Sequence, residues 1–157
     1  MNDVVIARAV HVLGVVLWIG GVSFVTTILL PAVRDLKAPD QRVAFFEQIE
    51  GKFAWQARAT TLLVGISGFY ITWAWNLWPR FLSIQFWWMH AMVLVWVVFT
   101  VMLFVAEPLF LHRWFLQSAE KNPERVFQLI ERLHWVLLGI SLITVLGAAA
   151  GSHGLLF

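Results

Sequence analysis

Five histidines in a chain with no cysteine define the chemistry open to it: His11, His90, His112, His134 and His153. Without thiols there is no disulfide, no cysteine-ligated iron–sulfur cluster, no thiolate nucleophile and no thioether-attached haem. Imidazole remains, as a metal or haem ligand, a proton carrier or a hydrogen-bonding group. His11 and His90 stand apart from the rest because each lies well inside an apolar run. At 1.5 Å per residue both sit about 10 Å below the same boundary. Imidazoles at that depth are costly in hydrocarbon unless they face a bundle interior and find a partner. Three partners are open: each other through a hydrogen bond, a bare metal ion, or an iron porphyrin held between them.

The surrounding residues favour the porphyrin. Gly14 and Trp18 share the helical face of His11, Gly65 and Gly68 leave room on a second run, and Phe86, Trp87, Val93, Leu94 and Val97 surround His90. An apolar, aromatic-walled slot with two axial nitrogens suits haem b. Arg8, one turn outward from His11, is placed for a propionate, with Arg80 and His153 at the same surface. The copper alternative uses Met89, His90 and Met92 as a thioether and imidazole cluster, with His11 and His153 nearby. Each feature also has an ordinary structural reading: an interhelical hydrogen bond for the histidines, core or lipid contact for the methionines, snorkelling for the arginines. His112 and His134 belong to the opposite side, among Arg113, Glu131 and Arg132, as a second haem pair or as solvated histidines. Glu107 before Pro108 reads as a span terminus or a step on a proton path. No catalytic residue is singled out.

The scaffold for these side chains follows from composition. Of 157 residues 61% are hydrophobic and 13% charged, and the mean hydropathy is +0.80. A soluble domain keeps roughly a quarter of its residues charged, so much of this surface must face lipid. Apolar runs over residues 4–30, 59–78, 84–106 and 133–151 predict an all-α integral membrane protein, a single domain over 1–157 with four transmembrane helices. Pro31, Pro79 and Pro108 are expected to end the first three. The first run is too long for a signal-peptide core. Lys and Arg concentrate between runs one and two and between runs three and four. Those loops are therefore expected in the cytoplasm, with both termini periplasmic, in a bacterial inner membrane. Each loop holds a short amphipathic segment, one capped by Asp40 with Phe45, Phe46 and Ile49 on a face, the other started by Asn122-Pro123-Glu124 and merging into the fourth run. Tryptophans gather at both boundaries. Shifting the chain by about half its length places His11 on His90 and Gly68 on Gly147, a faint internal repeat. The small-residue pattern Gly147-Ala-Ala-Ala-Gly151 suits close packing within the bundle or homo-oligomerisation. A net charge of +2 without a basic stripe points away from nucleic acid.

His11-x6-Trp18-x-Gly20-Gly21, with Phe86-Trp87-Trp88-Met89-His90-Ala91-Met92 running into Glu107-Pro108-Leu109 and the closing Gly151-Ser152-His153-Gly154, resembles the small bacterial membrane proteins called CopD-like, after copper-resistance protein D. It is more distantly similar to the HemJ family of haem-binding protoporphyrinogen oxidases. The HemJ resemblance implies haem b on His11 and His90, and the chain departs from that pattern at Met92, where the family has a lysine. The CopD-like resemblance implies copper handling. The expectation is a bis-histidine haem b protein that transfers electrons to or from a membrane quinol or a periplasmic redox protein. A copper accessory protein is the first alternative and a porphyrinogen oxidase the second.

Overall fold

The structure, a computed structural model, describes residues 2–154, apart from the side chains of His112 and Leu116. Among the described residues there is helix and turn but no strand. Helix α1 runs over Asn2–Leu36, with a π-helical turn at Val25–Leu29. Helix α2 is a single rod over Pro39–Ala74. Two 3-10 turns, Trp78–Leu82 and Ile84–Phe86, lead into α3, residues 87–121, which is π-helical over Met102–Leu111. Helix α4 spans Pro123–Ser152.

Neither Pro31 nor Pro108 ends a helix, contrary to the sequence-based expectation. A proline lacks the N–H that an α-helix needs, and its ring crowds the carbonyl four residues back. Both are accommodated by widening the neighbouring turns to π geometry, so the rods continue. Helix α2 does stop, at Ala74, well ahead of Pro79. Asn76 takes a left-handed conformation there (φ 49°), which asparagine tolerates better than most residues.

The predicted short loop helices are not separate elements. The segment with Phe45, Phe46 and Ile49 forms the first turns of α2, which begins at Pro39 with Ala38 as its extended cap, so Asp40 lies in the first turn and caps nothing. Asn122 does cap α4, its side chain accepting from the Arg125 N–H at 3.1 Å. The two charged loops therefore shrink to residues 37–38 and 122, and the rods run long.

Helix α1 packs along α2, and α3 along α4, with α4 also meeting α1 and α2. Glycines let the rods approach: a Cβ on Gly14 would stand 2.8 Å from Val64, and one on Gly147 or Gly151 would enter the Trp87 or Trp88 ring. Two apolar cores result. One, around Val25, Leu30, Val33, Val43, Phe46, Phe127 and Ile130, lies at the end that carries the short connections. The other, around Trp18, Val22, Val64, Val95, Phe99 and Leu138, lies at mid-bundle. Buried Thr26, Thr60, Ser67, Ser141 and Thr144 return their hydroxyls to carbonyls of their own helix four residues back, which satisfies them without water.

Outside, large apolar side chains stand open: Ile66, Phe69, Leu94 and Leu146 are each more than 60% exposed. A continuous apolar exterior suits lipid rather than water. Three helices, Asn2–Leu36, Ile84–Leu111 and Pro123–Ser152, are long and apolar enough to cross a membrane. Helix α2 is not among them, because its apolar part follows Arg58 and contains Thr60, Thr61, Ser67 and Thr72.

Candidate functional site

His11 is half-buried at the α1–α2 contact. Its Nδ1 lies 3.1 Å from the Val64 carbonyl and 3.1 Å from the Ser67 hydroxyl. That hydroxyl donates to Leu63, so the Nδ1–H serves as donor and Nε2 keeps its lone pair. Gly68 lies directly under the ring, where a Cβ would come 3.0 Å from His11 Cε1. His90 is exposed, and both its nitrogens meet backbone carbonyls: Nδ1 that of Phe86 at 3.3 Å, Nε2 that of Phe81 at 3.0 Å. The Phe81 ring stands edge-on to it, 5.5 Å away.

These residues do not form the predicted haem slot. His11 addresses α2, while His90 folds back on the 3-10 turns before its own helix. The space at Gly14 is taken by Val64 and that at Gly68 by His11 itself. Trp18 is buried edge-on to Phe99, at 4.9 Å. Trp87 covers Gly147, Arg8 lies on an exposed apolar strip of α1 with Val5, Val12 and Val16, and His153 closes the end of α4, its Nδ1 2.8 Å from the Ala149 carbonyl. A porphyrin held by His11 and His90 does not fit this arrangement. For copper, Met89 is buried in the bundle, and among the described residues no group of three or more His, Asp or Glu side chains converges as a metal set. The His112 side chain, named for a second haem with His134, lies outside the described residues.

A different site emerges between the two cores. A cavity of about 190 Å³ has walls from both, Val25, Phe46 and Ile130 from one and Trp18, Val22 and Phe99 from the other, together with Glu47, Glu50, Glu107 and His134. His134 presents Nδ1 to the Ile130 carbonyl at 2.9 Å. Its N–H donates there, which directs the Nε2 lone pair toward Glu50, whose Oε1 is 4.0 Å away. That gap is too long for a direct hydrogen bond and short enough for a small rotation or one water to close. Phe46 stands edge-on to the imidazole at 5.6 Å.

Glu50 precedes the apolar part of α2. Burial first, and then the Glu107 and Glu47 carboxylates, push its pKa from the ordinary glutamate range up to about 7. Its side chain keeps 36% of its surface open, so water admitted to the cavity would relieve part of that shift. The Trp18 Nε1–H is buried without an acceptor among the described residues, although a buried indole ordinarily finds one.

Arg58 stabilises the same wall. Its Nε–H donates to the Leu103 carbonyl at 2.9 Å, and a second nitrogen pairs with Glu107. The reason lies in the π turns of α3. In that register a carbonyl pairs with the N–H five residues on, and five residues after Leu103 stands Pro108, which has none. Arg58 supplies the missing donor from the neighbouring helix.

Sequence reading passed over Glu47, Glu50 and this role of Arg58. A signal was there: Glu47, Glu50, Ala54, Ala57, Thr61 and Val64 recur at helical spacing. They mark one inward stripe of α2, small and polar, that continues from the charged segment into the apolar one. No family model, curated protein or solved structure matches the chain, so its function has to be argued from its own residues.

Proposed function

We propose that the chain is a bacterial inner-membrane protein crossing the bilayer four times, with α2 as the fourth crossing, and that its working site is the cavity where Glu50 and His134 exchange a proton. The observation that carries this reading is the pair itself: an imidazole whose Nδ1–H is fixed to a carbonyl, with its basic nitrogen turned toward a carboxyl group 4.0 Å away on the wall of the cavity. A carboxyl group poised near neutrality and an imidazole are the two side chains best matched to pass a proton at physiological pH. Arg58 and Glu107 form an ion pair on the facing wall, and Glu47 lines the same cavity as Glu50.

Haem b with electron transfer needs His11 and His90 acting together, and copper needs His90 with Met89 and Met92, with His11 and His153 nearby. His11 keeps a ligand-competent nitrogen, but His90 has both of its nitrogens at carbonyls. Reduced-minus-oxidised spectra with metal analysis of protein from haem-sufficient cells test that reading separately: a low-spin b-type spectrum abolished by His11→Ala and by His90→Ala would reinstate it.

The proton reading is tested by infrared titration of the purified protein. A carboxylic acid C=O band with a midpoint near pH 7 is expected, lost in Glu50→Gln and displaced in His134→Phe. A titration untouched by Glu50→Gln would overturn the assignment.

A further inference from the structure

An apolar cavity of about 150 Å³ holds a benzene ring, whereas pockets for larger ligands start at roughly 300 Å³. At about 190 Å³ the cavity between the two cores matches one six-membered ring with a short polar arm. Phe46, Phe53, Phe99 and Phe115 stand on its walls. The ionisable side chains that line it come from three helices: Glu47 and Glu50 from α2, Glu107 from α3 and His134 from α4. Ionised, the carboxyl groups only accept, and the Nε2 of His134 also accepts, because its Nδ1–H is used by the Ile130 carbonyl. The Trp18 N–H is itself fully buried and adds no donor. Arg58 is engaged with the Leu103 carbonyl and Glu107. A ligand that suits these walls therefore brings both the donors and the positive charge.

The spacing of the two acceptors selects the donor. Glu50 Oε1 and His134 Nε2 are 4.0 Å apart, too far to bond to each other. Two N–H bonds of one tetrahedral ammonium, each about 2.8 Å long to its acceptor, reach acceptors roughly 4.5 Å apart. A small rotation of either side chain lets a single nitrogen bridge them. Both are open to an incoming group, the Glu50 side chain keeping 36% and that of His134 19% of its surface exposed.

We propose that the cavity binds a primary ammonium cation carried on a single apolar ring, its nitrogen bridging Glu50 and His134 and its ring lying among the phenylalanines. Aromatic walls favour such a cation twice, by burying the ring and by attracting the charge. The inference rests on reading Glu50 and His134 as a proton-exchanging pair, and it names what takes the proton's place. The ammonium keeps its own proton, the Glu50 carboxyl group releases one to bulk water, and no other bond changes. The groups facing Glu50 are Glu47 on its own helix, Glu107 with Arg58 on the facing wall, and His134 on α4, while α1 contributes only Trp18, Val22 and Val25 to the cavity. Burial, then Glu107 and Glu47, keep Glu50 protonated up to about pH 7, so proton and cation compete below that pH. Affinity is expected to fall about fivefold from pH 7 to pH 6 and to level off on the alkaline side.

The test is calorimetric titration of the full chain in lipid nanodiscs with benzylammonium chloride, empty nanodiscs serving as the blank. Saturable binding is expected, with release of about half a proton at pH 7, read from the heats in buffers of different ionisation enthalpy. Glu50→Gln should weaken binding tenfold or more, the loss of a charge-assisted hydrogen bond, and abolish the proton release. Benzyl alcohol, which has the same outline without the charge, should bind at least tenfold more weakly, and a naphthylmethylammonium, with its second fused ring, should not enter. Equal affinity for benzyl alcohol would show a merely apolar cavity and overturn the proposal. So would an absence of saturation, or binding indifferent to Glu50→Gln. If Glu50→Gln fails to fold, the proton count on the unaltered chain and the comparison with benzyl alcohol decide. The infrared titration of Glu50 is measured without amine, so its presence with no benzylammonium binding sinks this inference alone, and its absence sinks the proton reading beneath it.

Discussion

Glu50 and Arg58, taken singly, are placed to have opposite effects on stability. Glu50 holds its proton to a higher pH in the folded chain than it would unfolded. Between the ordinary glutamate range and about pH 7 the folded state therefore binds more protons, and stability falls as pH rises through that window. Thermal unfolding in detergent is expected to be least favourable at its acid end, with Glu50→Gln flattening the dependence; an unchanged slope in the variant would assign it to other groups. Arg58 joins two helices through the Leu103 carbonyl and Glu107. Arg58→Met leaves both without it and should cost about 1–3 kcal/mol. In a Pro108→Ala background, where the helix regains its own donor, the same substitution should cost less. A double-mutant cycle measures that difference, and strict additivity would refute the role assigned to Arg58.

Between helices, the glycines divide into those that hold rods together and those that do not. Gly147 and Gly151 on α4 lie under Trp87 and Trp88 of α3, whereas a Cβ added to Gly139 on the same helix would meet nothing within 4 Å. Gly147→Val is expected to destabilise by about 1–3 kcal/mol through overpacking. Gly139→Ala should be neutral or slightly stabilising, because alanine is the better helix former by about 1 kcal/mol. Denaturation midpoints of the two variants check this, and equal effects would mean that the α3–α4 approach is not as close as described. The contacts also give the faint repeat a physical form. Each half is a pair of rods whose first member widens to π geometry beside a proline and whose second presents a glycine to a ring of the first, Gly68 to His11 and Gly147 to Trp87.

For the molecule as a whole, the prediction is topological. The chain has no cysteine, so single cysteines at Asn76, Glu120 and Gly154 can be probed in intact cells with a membrane-impermeant maleimide. The loading of Lys and Arg near the short connections predicts labelling at positions 76 and 154 and protection at 120. Labelling only at 120 would either invert the molecule or remove α2 from the crossings, and a cysteine at Asn2 separates the two, being protected in the first case and labelled in the second; labelling of 76 and 154 on opposite sides would remove α3 or α4 from the crossings.

Hydropathy and helical spacing are local properties that survive without knowledge of neighbours, and they suffice to mark a helical chain with apolar runs long enough for lipid. The start of α4 at Asn122-Pro123 was legible for the same reason. Packing alone settled which helix each side chain addresses. Counting residues along the apolar runs assigns His11 and His90 one depth, but such a count leaves direction around the helix axis open, and the fold turned the first onto Ser67 and Gly68 and the second back onto Phe81. Pro31 and Pro108 read as stops because the cost of a missing N–H is local, while its remedies, a widened turn and an arginine donated by another helix, are not. The cavity at Glu50 and His134 likewise exists only where two cores meet imperfectly, and no spacing within one helix records where another leaves a gap.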